Sequence, residues 1–163
     1  MIYPTSPHGD VTPTCESAGT SLRMTTLRIL LVDDFALFRS YVRRILEEHS
    51  GWKVIGEAAD GVAALQMAAE LQPDLILLDI ELPKLNGIEA AQQISTKAPR
   101  AKIVFLTSHC SQELVNIAIA NGGMGYVVKW NADCDLPLAI KAATEGKWFV
   151  SSRLPDYDSS DPI

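Results

Sequence analysis

Cysteine is scarce in this 163-residue chain: Cys15, Cys110 and Cys134 are an odd number, and none stands in a CxxC pair. That argues against a disulfide framework and a thiolate metal site, and it suits a reducing compartment. Long apolar runs are missing too. No stretch approaches the ~20 residues of a membrane span. The N-terminus lacks a basic segment followed by an apolar one, so no secretory signal is expected. Basic residues are outnumbered, 14 Lys and Arg against 20 Asp and Glu, for a formal net charge of -6. A nucleic-acid binder usually carries a basic stripe; none is visible, so direct binding of DNA or RNA by this chain is not expected. A cytoplasmic protein is the simplest expectation. The hydrophobic fraction, 47%, is ordinary for a chain with a packed core, and the length suits one domain.

Residues 1–26 hold Pro4, Pro7, Pro13, Gly9 and Gly19 among many Ser and Thr, without apolar periodicity. They read as a flexible leader, with Met24 as an alternative start. From Leu27 the pattern changes. Short apolar runs at Leu27 to Val32, Lys53 to Ala58, Asp74 to Leu78, Lys102 to Leu106 and Met124 to Val128 suit strands buried on both faces. Helical stretches lie between them. Phe38, Val42, Ile45 and Leu46 form one stripe, and Val62 to Leu71 is Ala-rich and stops before Pro73. Ile88, Ala91 and Ile94 precede Pro99. Ser111 reads as an N-cap and Asn121-Gly122-Gly123 as a stop. Leu136, Ala139, Ile140 and Ala143 line the last helix before Gly146. Five β-α repeats predict an α/β fold with a parallel sheet covered by helices on both faces. The flavodoxin-like (βα)5 sandwich, strand order 2-1-3-4-5, is the natural candidate. The domain is expected over 27–150. Residues 151–163, SSRLPDYDSSDPI, read as a polar tail too short for a second domain.

The strand ends carry the chemistry. Asp33 and Asp34 close the first run, Asp79 the third, Thr107 the fourth and Lys129 the fifth. In an open parallel sheet, sites form at the carboxyl ends of the strands near the point where strand order reverses. Three carboxylates gathered there raise one another's pKa unless cations balance them. Lys129 supplies one positive charge, and a hard divalent cation such as Mg²⁺ would supply the rest. Asp34 and Asp79 are the expected direct ligands, Asp33 acts through water, and the Glu81 backbone carbonyl completes the protein set. Alone, an acidic pair reads as a solvated loop or a helix cap, Thr107 as an ordinary strand end, Tyr126 as core and Lys129 as an exposed cation. All the pieces in order, each at a strand end, favour the site.

The stretch from Leu27 to about Val150 resembles a response-regulator receiver domain. The resemblance rests on Asp33-Asp34 after ILLV, on LLDIELPKLNGIEA around Asp79, on Thr107 in VFLTS and on GYVVK ending at Lys129. From Lys129 to Val150 it is similar to the subfamily usually linked to a helix-turn-helix DNA-binding domain. The resemblance implies a two-component switch rather than an enzyme, catalysing only its own phosphorylation and dephosphorylation. Asp79 would take a phosphoryl group from a phosphohistidine on a sensor histidine kinase or a histidine phosphotransfer protein. Lys129 would pair with a phosphoryl oxygen, and Thr107 would hydrogen-bond another. Tyr126 would rotate into the space Thr107 leaves, switching the surface of the fourth and fifth helices. A homodimer would be one output. A phosphate shuttle between histidine proteins and a constitutive, unphosphorylated interaction module are the alternatives. Glu81 and His109 occupy positions that tune loss of phosphate in the family. One departure stands out: Trp130 follows the lysine where many receivers have Pro. Cys110 and Cys134 are expected to be small packing residues, and Trp52, Trp130 and Trp148 to pack or lie at interfaces rather than to stack on a ligand.

Overall fold

A computed structural model describes residues 25–151. Almost all of the expected leader and tail therefore lies outside the described residues. The elements alternate: β1 (Leu27–Val32), α1 (Ala36–Glu47), β2 (Trp52–Ala58), α2 (Gly61–Leu71), β3 (Leu75–Asp79), α3 (Gly87–Lys97), β4 (Lys102–Thr107), α4 (Gln112–Ala120), β5 (Gly123–Val128), α5 (Ala132–Thr144) and β6 (Phe149–Val150). A single 3-10 turn, Lys129–Asn131, joins β5 to α5. Strand order is β2-β1-β3-β4-β5-β6, and every neighbouring pair is parallel. The first five strands have the expected flavodoxin-like order. Only β6 is additional. Its two residues, paired with Gly125 and Tyr126, are too few to leave a periodic signal.

Alternation along each strand builds two cores. Leu30, Val32, Ile76, Leu78 and Phe105 face a cluster shared with the Ala-rich sides of α2 and α3 and with Val115 and Ala118 of α4. Ile29, Leu31, Leu75, Leu77, Val104 and Leu106 face the other, with Val42 and Leu46 of α1 and Leu136, Ala139 and Ile140 of α5. Leu75 to Leu78 are wholly buried, as expected for a central strand covered on both sides. Truncating one such leucine to alanine typically costs about 2–5 kcal/mol.

The helix starts follow capping chemistry. Asp60, Asn86 and Ser111 accept from Ala63, Glu89 and Leu114 N–H at the starts of α2, α3 and α4. The first helix has no side-chain cap, since Phe35 holds that position; neither member of the acidic pair spends its carboxylate there. Gly122 adopts φ +82° just past α4, in line with the expected stop. Strand ends shift slightly from the sequence reading, and Asp79 is the last residue of β3 rather than the first beyond it.

One expectation needs correction. Cys134 is exposed, not packed; Cys110 does lie against the core. Trp130, on the 3-10 turn, is 57% exposed.

Candidate functional site

The chain moves from β1 outward to β2, then returns across β1 to β3. That reversal puts the carboxyl ends of β1 and β3 side by side, where a doubly wound sheet forms its crevice. Val32 pairs with Leu78, so the residues that follow meet at one rim. Asp33, Asp34 and Asp79 each offer an oxygen within 4.8 Å of the others. Asp34 and Asp79 border an open cavity of about 540 Å³ together with Phe35, Phe38, Glu81, Ser108, Lys129 and Trp130, with Asp33 buried just behind it.

Asp79 is only 1% exposed, yet it forms part of the cavity wall, so its carboxylate is reachable through the pocket and not sealed in the core. Oδ1 accepts the Glu81 N–H at 3.0 Å, and Oδ2 accepts from Lys129 Nζ at 2.9 Å. Burial raises the Asp79 carboxyl to about 6; Lys129 and the Glu81 N–H pull it back only in part, and the neighbouring Asp33 adds to the rise. A carboxylate so placed is uncomfortable as an anion and gains from any further cation.

Asp33 is fully buried. Its Oδ1 accepts the Phe35 N–H at 2.8 Å. Its Oδ2 lies 2.6 Å from Lys129 Nζ but has no well-directed hydrogen bond, so we read that contact as an ion pair. Asp34 is exposed at the cavity edge. Lys129 therefore bridges two buried carboxylates. Burial disfavours its charge, but Asp33 and Asp79 outweigh that and raise its pKa, so it stays an ammonium. Its Nζ also sits 4.9 Å from the centroid of the Phe38 ring, a cation–π distance. One ammonium does not neutralise three carboxylates. The donor set is all oxygen, clustered and partly orphaned, which fits a hard divalent cation of the Mg²⁺ kind.

Thr107 is buried at the end of β4, beside Val128. Its hydroxyl accepts the His109 N–H at 3.0 Å, and Ser108 rather than Thr107 borders the cavity. The Tyr126 ring is fully buried, with its hydroxyl donating to the His109 carbonyl at 3.0 Å. Burial raises the Tyr126 pKa, and the Thr107 hydroxyl opposes the rise, so these two hydroxyls are neighbours. Above them the His109 Nε2–H donates to Glu81 Oε1, joining the loops after β3 and β4.

The structure thus brings Asp33, Asp34, Asp79 and Lys129 into one pocket and places Thr107 and Tyr126 just behind it. Sequence reasoning did not single out Ser108 or Phe35, and it assigned Phe38 to the helix stripe alone. Phe38 does pack on the core and also lies against the ammonium. Its spacing signals the first role; the second depends on where β5 ends.

Comparison with known proteins decides the family. Residues 29–141 match the response regulator receiver domain. The chain belongs to that family. This receiver is 35% identical over 128 residues to the transcriptional regulatory protein LiaR of Bacillus subtilis, covering 78% of this chain and 61% of that protein. It is 34% identical to the response regulator UvrY of Escherichia coli, covering 78% and 59%. The chain thus spans about three-fifths of the length of these relatives. Among solved structures, the receiver resembles a LuxR-family two-component response regulator from Aurantimonas (TM-score 0.75, 35% identity, 79% of this chain and 92% of that one). It also resembles the response regulator domain of Thermotoga maritima CheB (TM-score 0.69, 31% identity, 74% and 97%). Its acidic pocket is of the kind typical of a phosphoacceptor site.

Proposed function

We propose that this receiver takes a phosphoryl group from a phosphohistidine onto Asp79, and that the modification switches a protein-interaction surface. The observation that carries the reading is the Asp79 carboxylate at the wall of an open, acid-lined pocket, held by an ammonium. In the transfer, a carboxylate oxygen of Asp79 forms the new O–P bond as the N–P bond of the donor breaks, and the electron pair leaves with the imidazole. Asp34, Asp79 and the Glu81 carbonyl, with Asp33 through water, would hold Mg²⁺, which would supply neutralisation of the negative charge gathering there.

The chain's own groups do the rest. Lys129 exchanges Asp79 Oδ2 for a phosphoryl oxygen while keeping Asp33. Thr107 gives up its neighbour Tyr126 and turns toward the phosphoryl group. Tyr126, anchored to the His109 carbonyl, holds the β4–α4 loop in the arrangement that follows. The donor would be a sensor histidine kinase or a histidine phosphotransfer protein in the cytoplasm, and a change in self-association would be one output.

The test is direct. With Mg²⁺ and a small phosphodonor, intact-mass measurement should show one added phosphoryl group, and none when chelator is present from the start. Asp79→Asn should stay unmodified. Equal uptake by that variant would end the reading.

A further inference from the structure

Asp34 is the one carboxylate of the pocket with no hydrogen bond or ion pair of its own among the described residues. Nothing grips its side chain, so its aim depends on the two peptide groups that flank it. Both are held. The peptide after Asp34 is fixed by the Phe35 N–H, which donates to Asp33 Oδ1 at 2.8 Å. The peptide before it is fixed by Arg39, whose Nη1 donates to the Asp33 carbonyl at 2.6 Å. Arg39 in turn is held from outside the loop: its Nε donates to Glu57 Oε2 at 3.3 Å. The other Glu57 oxygen takes the Arg43 Nε at 2.7 Å. Burial would raise the Glu57 pKa, but Arg43 and Arg39 overcome it and hold the carboxyl below its usual range, so the clamp stays charged.

We infer that Arg39, braced by Glu57 from β2, is a positioning residue for the divalent-cation site. It acts through the Asp33 carbonyl to set the direction of Asp34. The inference rests on the proposed Mg²⁺ reading of the pocket and adds a residue to it.

Charge and position predict opposite signs here. Removing a cation close to an acidic pocket should, by Coulomb's law alone, tighten binding of a divalent cation. Loss of positioning should weaken it. Mg²⁺ is titrated into the full chain by calorimetry, with tryptophan fluorescence in parallel because Trp130 borders the cavity. Arg39→Ala should bind Mg²⁺ on the order of 10-fold more weakly, the range typical when an outer partner of a ligand is lost. The Mg²⁺ concentration for half-maximal phosphorylation should rise by the same factor, while the rate at saturating Mg²⁺ returns to near the wild-type value. Arg39→Lys, which cannot span both oxygens with a planar fork, should lie between. Arg44→Ala removes the same charge from an exposed site on the same helix and should leave affinity unchanged or slightly tighter. If Arg39→Ala does not fold, Arg39→Met, which keeps the apolar stem and removes the same charge, should still show weaker binding. Wild-type or tighter affinity in a folded Arg39→Ala, or in Arg39→Met where only that variant folds, would overturn the inference. Absence of Mg²⁺ binding by the wild type would instead overturn the reading of the pocket.

Discussion

Asp79 combines a place at the cavity wall with an energetic penalty. Its carboxyl is raised from 3.8 to about 6, so the folded state binds the proton more tightly than the unfolded chain. Ionisation therefore costs stability. The cost is full above pH 6 and fades as pH falls toward 4, where the unfolded chain also holds the proton. A difference of that size is worth about 3 kcal/mol, and an asparagine that leaves Lys129 with only one carboxylate recovers part of it. Asp79→Asn in chelator is expected to be about 1 kcal/mol more stable than wild type at pH 7.5. The gap should narrow by pH 4.5; urea melts at both pH values check the sign. The Glu81–His109 bridge makes a second prediction. It ties two loops at the pocket mouth, so Glu81→Ala and His109→Ala should each expose the aspartyl phosphate to water and shorten its lifetime several-fold. Lifetimes equal to wild type in both would remove the bridge from consideration. At this scale the acidic pair, Asp79 and Lys129 were legible because each ends an apolar run. Arg39 was not: an arginine among several on a helix face carries no mark of which carbonyl it will reach.

Among the elements, the third strand and third helix meet unusually closely. A Cβ at Gly87 would lie 2.0 Å from the Asp79 carbonyl oxygen and 2.8 Å from Ile80 Cα, while the Gly87 N–H donates to the Ile80 carbonyl at 2.8 Å. The backbone that carries Asp79 is thus wedged against a helix start that only glycine allows. Gly87→Ala should cost about 1–3 kcal/mol by forced backbone movement. It should also slow phosphorylation even where the protein remains folded, as a thermal melt and a phosphodonor time course would show. Most elements were legible in the sequence, because the central strands leave apolar runs and the helices carry apolar stripes or cap and stop signals. The sixth strand was not. Phe149 and Val150 owe their pairing to the edge offered by β5, and two residues are too short a run to read. Pro137, inside α5, likewise left no trace in the apolar spacing.

For the molecule as a whole, a cation held by the clustered carboxylates would be a folding partner. Anything bound only by the native state stabilises it by mass action, about 2.7 kcal/mol at a hundredfold excess over Kd. Mg²⁺ at that level should raise the melting temperature of the wild type by several degrees and that of Asp34→Asn by much less; equal shifts would point to a different binding site. Among the described residues no helix is long and apolar enough to cross a membrane.

The last described residue ties these scales together. Ser151 Oγ accepts the Val128 N–H at 3.0 Å and donates to the buried Asp135 at 2.5 Å, while its own N–H reaches the Tyr126 carbonyl at 2.9 Å. The point where the polypeptide departs toward residue 152 is thereby riveted to the backbone on either side of Val127, immediately ahead of the ammonium. Strip that hydroxyl and a carboxyl in the interior faces nothing, so the exit and the anion-binding end of the sheet would loosen as one piece.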